Sequence, residues 1–183
     1  MRRISLAAFV FIASATAAFA CGTERWAVKT GTDADAGSVV TVAQVAQIGD
    51  LAALPAPADP NAQPNSRFAP TETSTFMISA TLSVIKQEKD EDYHLVIANP
   101  NDPSTTMIVE SPDPHCAVGS VFANQIATVR QTIDNQFGRI RRKRRPGIPV
   151  LVTGVAFFDV VHGQEGVAPN GIELHPLLSI YFQ

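Results

Sequence analysis

The residues with most chemistry in this 183-residue chain lie in HGQEGVAPNGIELHP, residues 162–176, where two histidines and two glutamates surround a Pro-Asn-Gly turn. Two imidazoles and a carboxylate, His162, Glu173 and His175, match the donor types of a hydrolytic zinc set and of general acid–base catalysis. Their spacing fits no established zinc signature. Glu173 and His175 are two apart, so in a strand both project from one face, opposite Leu174. The same residues also suit a plain structural hairpin, or a recognition loop in which Asn170 and the histidines meet a ligand.

Two further sets carry charge. Asp92, Glu110 and Asp113 stand in DEDYHLVIANP and VESPDPHC, at the ends of strand-like segments. The run RIRRKRR, residues 139–145, holds Arg141, Arg142, Lys143, Arg144 and Arg145, a density that can grip phosphates independently of sequence. It has no interleaved aromatics on which bases would stack. Nucleic acid, an anionic envelope polymer and lipid headgroups are its candidate partners, and a solvated loop is the plain alternative.

The elements that must position these groups follow a signal-like start. MRRISLAAFVFIASATAAFA, residues 1–20, has two arginines, an apolar run and a small-residue end at Ala18-Phe19-Ala20, the layout of a secretory signal peptide rather than a membrane span. The mature chain is expected to begin at Cys21 and to be periplasmic or extracellular, with no transmembrane segment. Without Arg2 and Arg3 it holds 12 basic and 17 acidic residues, a formal charge of −5, so any polyanion must be held by a local patch. Cys21 and Cys116 are the two cysteines, and an oxidising compartment favours a disulfide between them. A lipid on Cys21 is the alternative, and the bulky Phe19 in the cleavage region argues against it.

Residues 21–53 read as an N-terminal extension: an extended piece around Trp26, an Asx-rich turn at Asp33 and Asp35, and a brief helix starting at Thr41. Residues 54–73, with five prolines, read as a linker or surface wrap. Residues 74–183 form the main domain. Alternation at Phe76, Ile78, Ala80, Leu82 and Val84 predicts a first strand. Tyr93–Ile97 and Thr105–Glu110 are the second and third. Phe122, Ile126, Val129, Ile133 and Phe137 recur at helical spacing, with Ser120 as N-cap and Gly138 as terminator. Residues 149–161 and 173–182 complete the set. Three strands, a helix and two strands is the order of the five-stranded OB barrel, so the expected fold is mainly β and OB-like, β-β-β-α-β-β, with an N-terminal extension.

The strand exit Val109-Glu110-Ser111-Pro112-Asp113 resembles the strand-exit motif of staphylococcal-nuclease-like OB domains, with Asp92 about where that family places its first metal-binding aspartate. The resemblance implies Asp92 and Glu110 as calcium ligands and Asp113 as counterpart of the general base. Thr105 stands where the family carries its phosphate-stabilising arginine. As a whole, through CGTERWAVKTGTDADA and HGQEGVAPNGIELHP, the chain is similar to uncharacterised exported bacterial proteins, a resemblance that implies export and brings no activity.

The function expected from these readings is an exported OB-type binding module without a cofactor. It would use His162, Asn170, Glu173, His175 and the basic run, with nucleic acid or another polyanion as ligand. The alternatives are a calcium- or zinc-dependent nuclease or other hydrolase, using the three acids or the histidine hairpin, and a structural cell-envelope protein.

Overall fold

A computed structural model describes residues 21–183, and the signal-like segment 1–20 lies outside the described residues. The protein is mainly β. Six strands form one mixed sheet: β1 (Val40–Val45), β2 (Ser74–Gln87), β3 (Tyr93–Asn99), β4 (Asp102–Ser111), β5 (Ile148–Phe158) and β6 (Ile172–Phe182). Among the described residues three α-helices accompany them: α1 (Trp26–Thr30), α2 (Ile48–Ala52) and α3 (Ala123–Phe137). From residue 74 onward the order is three strands, one helix and two strands, as the alternation and the helical stripe predict.

The strands run in the order β1-β2-β3-β4-β6-β5, and the long β2 pairs with β5 as well. The β2–β3, β3–β4, β5–β6 and β2–β5 pairs are antiparallel, whereas β1–β2 and β4–β6 are parallel. Because side chains alternate along a strand, one face carries Leu95, Val109 and Leu174 into the apolar core with Ile78, Val152 and Ile172. The other face presents His94, Glu110, Glu173 and His175. Helix α3 buries Ile126, Val129 and Ile133, the stripe legible in the sequence, and ends at Gly138. Ser120 is not its N-cap; the helix starts at Ala123 after Phe122, whose backbone N–H donates to Ser120 Oγ.

The N-terminal half departs from the sequence reading in two places. Trp26 opens a helical turn instead of an extended piece, and residues 40–45 are a strand instead of a helix. VTVAQV carries three β-branched valines, and its pairing on β2 overrides the weak helical pattern. The β5 strand stops at Phe158, leaving His162 in the loop that follows.

The proline-rich segment is anchored to the sheet by buried arginines. Arg25 makes a two-pronged pair with Glu72, each bond 2.7 Å, and donates to the carbonyls of Phe158, Ser66 and Gln63. Glu72 also accepts from the backbone N–H of Phe68 and Phe158. Arg67 pairs with Asp33 at 2.6 and 3.1 Å. The Cys21–Cys116 disulfide forms with a Cα–Cα distance of 5.6 Å and a sequence separation of 95, which settles the lipid alternative for Cys21 in favour of the bridge. A closed loop of that length constrains the unfolded chain by about 4–5 kcal/mol in the chain-entropy model. Among the described residues no helix is long and apolar enough to cross a membrane.

Candidate functional site

Strand register builds the site. His94 on β3 stands directly opposite Glu110 on β4, and Glu173 on β6 is paired with Ile108 on one side and Phe157 on the other. Since Ile108 and Glu110 share a face, as do Glu173 and His175, four polar side chains collect on adjoining strands. Asp92, just ahead of β3, joins them. The two alternative sets read from the sequence thus contribute to one cluster: Asp92 and Glu110 from the acids, Glu173 and His175 from the hairpin.

Asp92, Glu173, His94 and His175 are buried, and the Glu110 side chain retains 12% exposure. Glu110 Oε1 lies 2.7 Å from His94 Nδ1, while His94 Nε2 faces the Glu165 carbonyl at 3.1 Å. His94 has an acceptor at each ring nitrogen; burial opposes a charge there, but the bond to Glu110 outweighs it and raises the pKa. His175 Nδ1 lies 3.1 Å from Glu173 Oε1 and 3.4 Å from Glu110 Oε2. Its Nε2 faces Asp92 Oδ2 at 3.5 Å, an ion-pair contact that makes no hydrogen bond. Asp92 Oδ1 is occupied by the backbone N–H of Asp113 at 2.9 Å.

The carboxyls respond in opposite directions. Burial would raise Glu110, but the hydrogen bond from His94 and the charges of His175 and Lys29 hold it well below its ordinary value. Burial pushes Glu173 up, and the adjacent Glu110 charge pushes it further. Asp92 is raised by burial, against the pull of His175. His175, despite burial, is raised to about 10 by Asp92 and Glu173. Lys29 is also raised: burial works against its charge, and the acids Glu173, Asp159 and Glu110 overcome it.

A cleft of about 410 Å³ opens above this cluster. Glu24, Glu88, Asp90, Glu110 and Asp159 line it against two lysines, Lys29 and Lys89. His94 is in its wall and the exposed His162 at its mouth. Lys29 comes from α1, with Nζ 3.5 Å from Asp159 Oδ2 and 5.3 Å from the Phe157 ring centroid. Phe157 also contacts His175 edge-on and lies under the Arg25 guanidinium. The β5–β6 loop covers the face next to His94. Gly166 in that loop has φ +85°, and a Cβ there would come within 2.3 Å of Val96, so only glycine permits the approach.

The other sequence candidates have different duties. Asp113 pairs with Arg130 at 3.2 Å and accepts from His115, outside the cluster, touching it only through its backbone N–H. Asn170 Nδ2 donates to the carbonyls of Leu51 and Leu54, fixing the hairpin turn to α2. In the basic run, Lys143 and Arg145 pair with Glu165 at 2.6 and 2.9 Å, and Arg144 donates to the Phe137 carbonyl. Arg141 and Arg142 are exposed.

Sequence reasoning missed His94, Lys29 and Asp159. For His94 a signal existed: Tyr93, Leu95 and Ile97 alternate with it, so it belongs to the face that carries Glu110. Nothing local announces Lys29, which a separate helix delivers to the cleft.

No family model matches the chain, and no curated protein matches it. Among solved structures it is similar to a chain described as OBody AM3L09 bound to hen egg-white lysozyme, with 9% sequence identity, a TM-score of 0.40, and coverage of 61% of this chain and 83% of that one.

Proposed function

We propose that the protein is an exported binding module in which β2–β6 and α3 form an OB-type barrel, and that the outer-face cleft takes a positively charged ligand. The barrel reading is supported by the circuit of pairings β2–β3–β4–β6–β5 and back to β2, with the helix placed between β4 and β5. The Cys21–Cys116 disulfide accords with export to an oxidising compartment.

The observation that carries the ligand class is the cleft lining: five carboxylates against two ammonium groups over a buried carboxylate–imidazole floor. Such a surface attracts cations and repels phosphates. The basic run offers less than its composition promises, because Lys143 and Arg145 are committed to Glu165. One observation favours a second reading, a metal-dependent hydrolase: Asp92, Glu110 and His175 bring two carboxylates and an imidazole, donors used by such enzymes, within reach of one another.

The test is an NMR titration of the ¹⁵N-labelled mature protein with spermidine, followed by a short single-stranded oligonucleotide. Spermidine should shift amides of residues 88–92 and 159–165 and leave those of residues 139–145 unmoved. Oligonucleotide binding across the cleft, or no response there to spermidine, would overturn the reading.

A further inference from the structure

Asp92 Oδ2 and His175 Nε2 make no hydrogen bond although both residues are fully buried. The other side-chain atoms in that condition among the described residues are two hydroxyls, Thr75 Oγ1 and Ser111 Oγ. A buried polar atom left unsatisfied is costly, and a charged one more so. These two face each other across 3.5 Å, and Asp92, Glu110 and His175 each offer a donor atom, all within 4.8 Å of one another. We propose that this gap is a site for a divalent first-row transition ion of the zinc type, held by Asp92 Oδ2, His175 Nε2 and Glu110. The proposal rests on the reading of the cleft as a cation site and names its ion.

The surroundings prepare each donor. Glu173 Oε1 sits 3.1 Å from His175 Nδ1, so Nδ1–H donates to it and Nε2 is the nitrogen turned toward Asp92. The proton that Nε2 carries in the metal-free protein is what a divalent ion would displace, bridging Nε2 to Asp92 Oδ2 in its place. A carboxylate behind a ligating histidine also fixes the ring and raises its basicity. Asp92 Oδ1 is held by the Asp113 backbone N–H, which leaves Oδ2 for the ion. Glu110 Oε1 is held by His94; Oε2, 3.4 Å from His175 Nδ1, is the oxygen that would turn to the ion.

The spacing suits the ion. Bonds of about 2.0–2.2 Å to nitrogen and oxygen in a tetrahedral arrangement set neighbouring donors about 3.4 Å apart. The Asp92–His175 separation of 3.5 Å is close to this value, and the partly exposed Glu110 would turn to bring its oxygen to the ion. Calcium and magnesium are poor fits, because both favour six or more oxygen ligands, whereas imidazole favours zinc, cobalt or nickel. Three protein donors leave a fourth position, and Glu110 connects the site to the cleft, so a ligand atom from that side can complete the coordination.

Calorimetric titration of the chelator-treated mature protein with Zn²⁺ tests the site, with Co²⁺ absorption as a second readout. One equivalent of Zn²⁺ should bind, and Co²⁺ should give visible bands of a four- or five-coordinate centre. Glu110→Gln, at the most exposed ligand, should abolish stoichiometric binding while leaving circular dichroism unchanged. Glu173→Gln should weaken Zn²⁺ by about 10–100-fold, the usual effect of losing a partner of a ligating histidine. Failure of the wild type to bind Zn²⁺, or equal binding by Glu110→Gln and by a folded Asp92→Asn, would overturn the proposal. Spermidine binding in the cleft without Zn²⁺ binding would remove the metal site alone, and silence toward both would remove the cation-binding reading as well.

Discussion

Two buried charged regions lie on either side of Phe157 and are built on opposite principles. Around Arg25 and Glu72 every prong is used: two charge-assisted bonds join the pair, three carbonyls accept from the guanidinium and two backbone N–H groups donate to the carboxylate. Around Asp92 and His175 the protein stops short, with one oxygen and one nitrogen that face each other at 3.5 Å without a hydrogen bond. Saturation is what a fold needs from a buried ion pair. Incompleteness under a cleft is what a binding site needs. On the proposed reading, the contrast gives the arginine pins to architecture and the imidazole–carboxylate cluster to a ligand.

Breaking the saturated region should have the largest effect. Glu72→Ala leaves Arg25 buried and uncompensated, and chemical denaturation should show a loss of roughly 3–5 kcal/mol. Replacing Cys21 and Cys116 together by serine should cost about 2–5 kcal/mol, since the bridge ties the same N-terminal segment to the end of β4. If Glu72→Ala instead proved neutral, the division into structural and ligand-binding charge would collapse.

The unsaturated region should behave differently. The double variant Asp92→Asn with His175→Gln removes both facing charges in similar shapes, and its stability without metal should lie within about 1 kcal/mol of wild type. A loss as large as that of Glu72→Ala would make the cluster a structural pin after all.

Titration sharpens the comparison in the chelator-treated protein. His175 and His94 have folded-state pKa values above 6.5, so their contribution is complete below the unfolded value and is lost as pH rises, for His175 through about 10. Glu110, depressed in the fold, contributes above the unfolded value of 4.5 and is lost in acid. Stability should therefore fall between pH 7 and 10 in the wild type and much less in the double variant. Parallel curves would contradict the assignment of charge within the cluster. The smallest effect belongs to the surface: Lys143→Ala should change stability by about 0–1 kcal/mol, because its pair with Glu165 is solvent-exposed.

Much of this was legible in the residues. Alternation located β2, a period near 3.6 located α3, and the two-residue spacing of Glu173 and His175 put both on one face, because these patterns depend on local geometry alone. The strand at residues 40–45 was not legible, since its pairing with β2 is a long-range contact that overrides local preference. Nor was the meeting of Asp92 with His175, 83 positions apart, because only the parallel β4–β6 pairing brings these strands together. The disulfide followed from compartment chemistry. The ion pairs of Arg25 and Arg67 had no sequence signal, because each arginine finds its acid only after the proline-rich segment has folded onto the sheet.

The most direct test of the central claim is the ¹⁵N signal of the His175 ring as Zn²⁺ is added to the metal-free protein. A shift of Nε2 with Nδ1 remaining protonated toward Glu173 is the predicted result. A ring whose two nitrogen signals do not respond to one equivalent of Zn²⁺ would contradict it, and would return the cluster to the same structural role as the arginine pins.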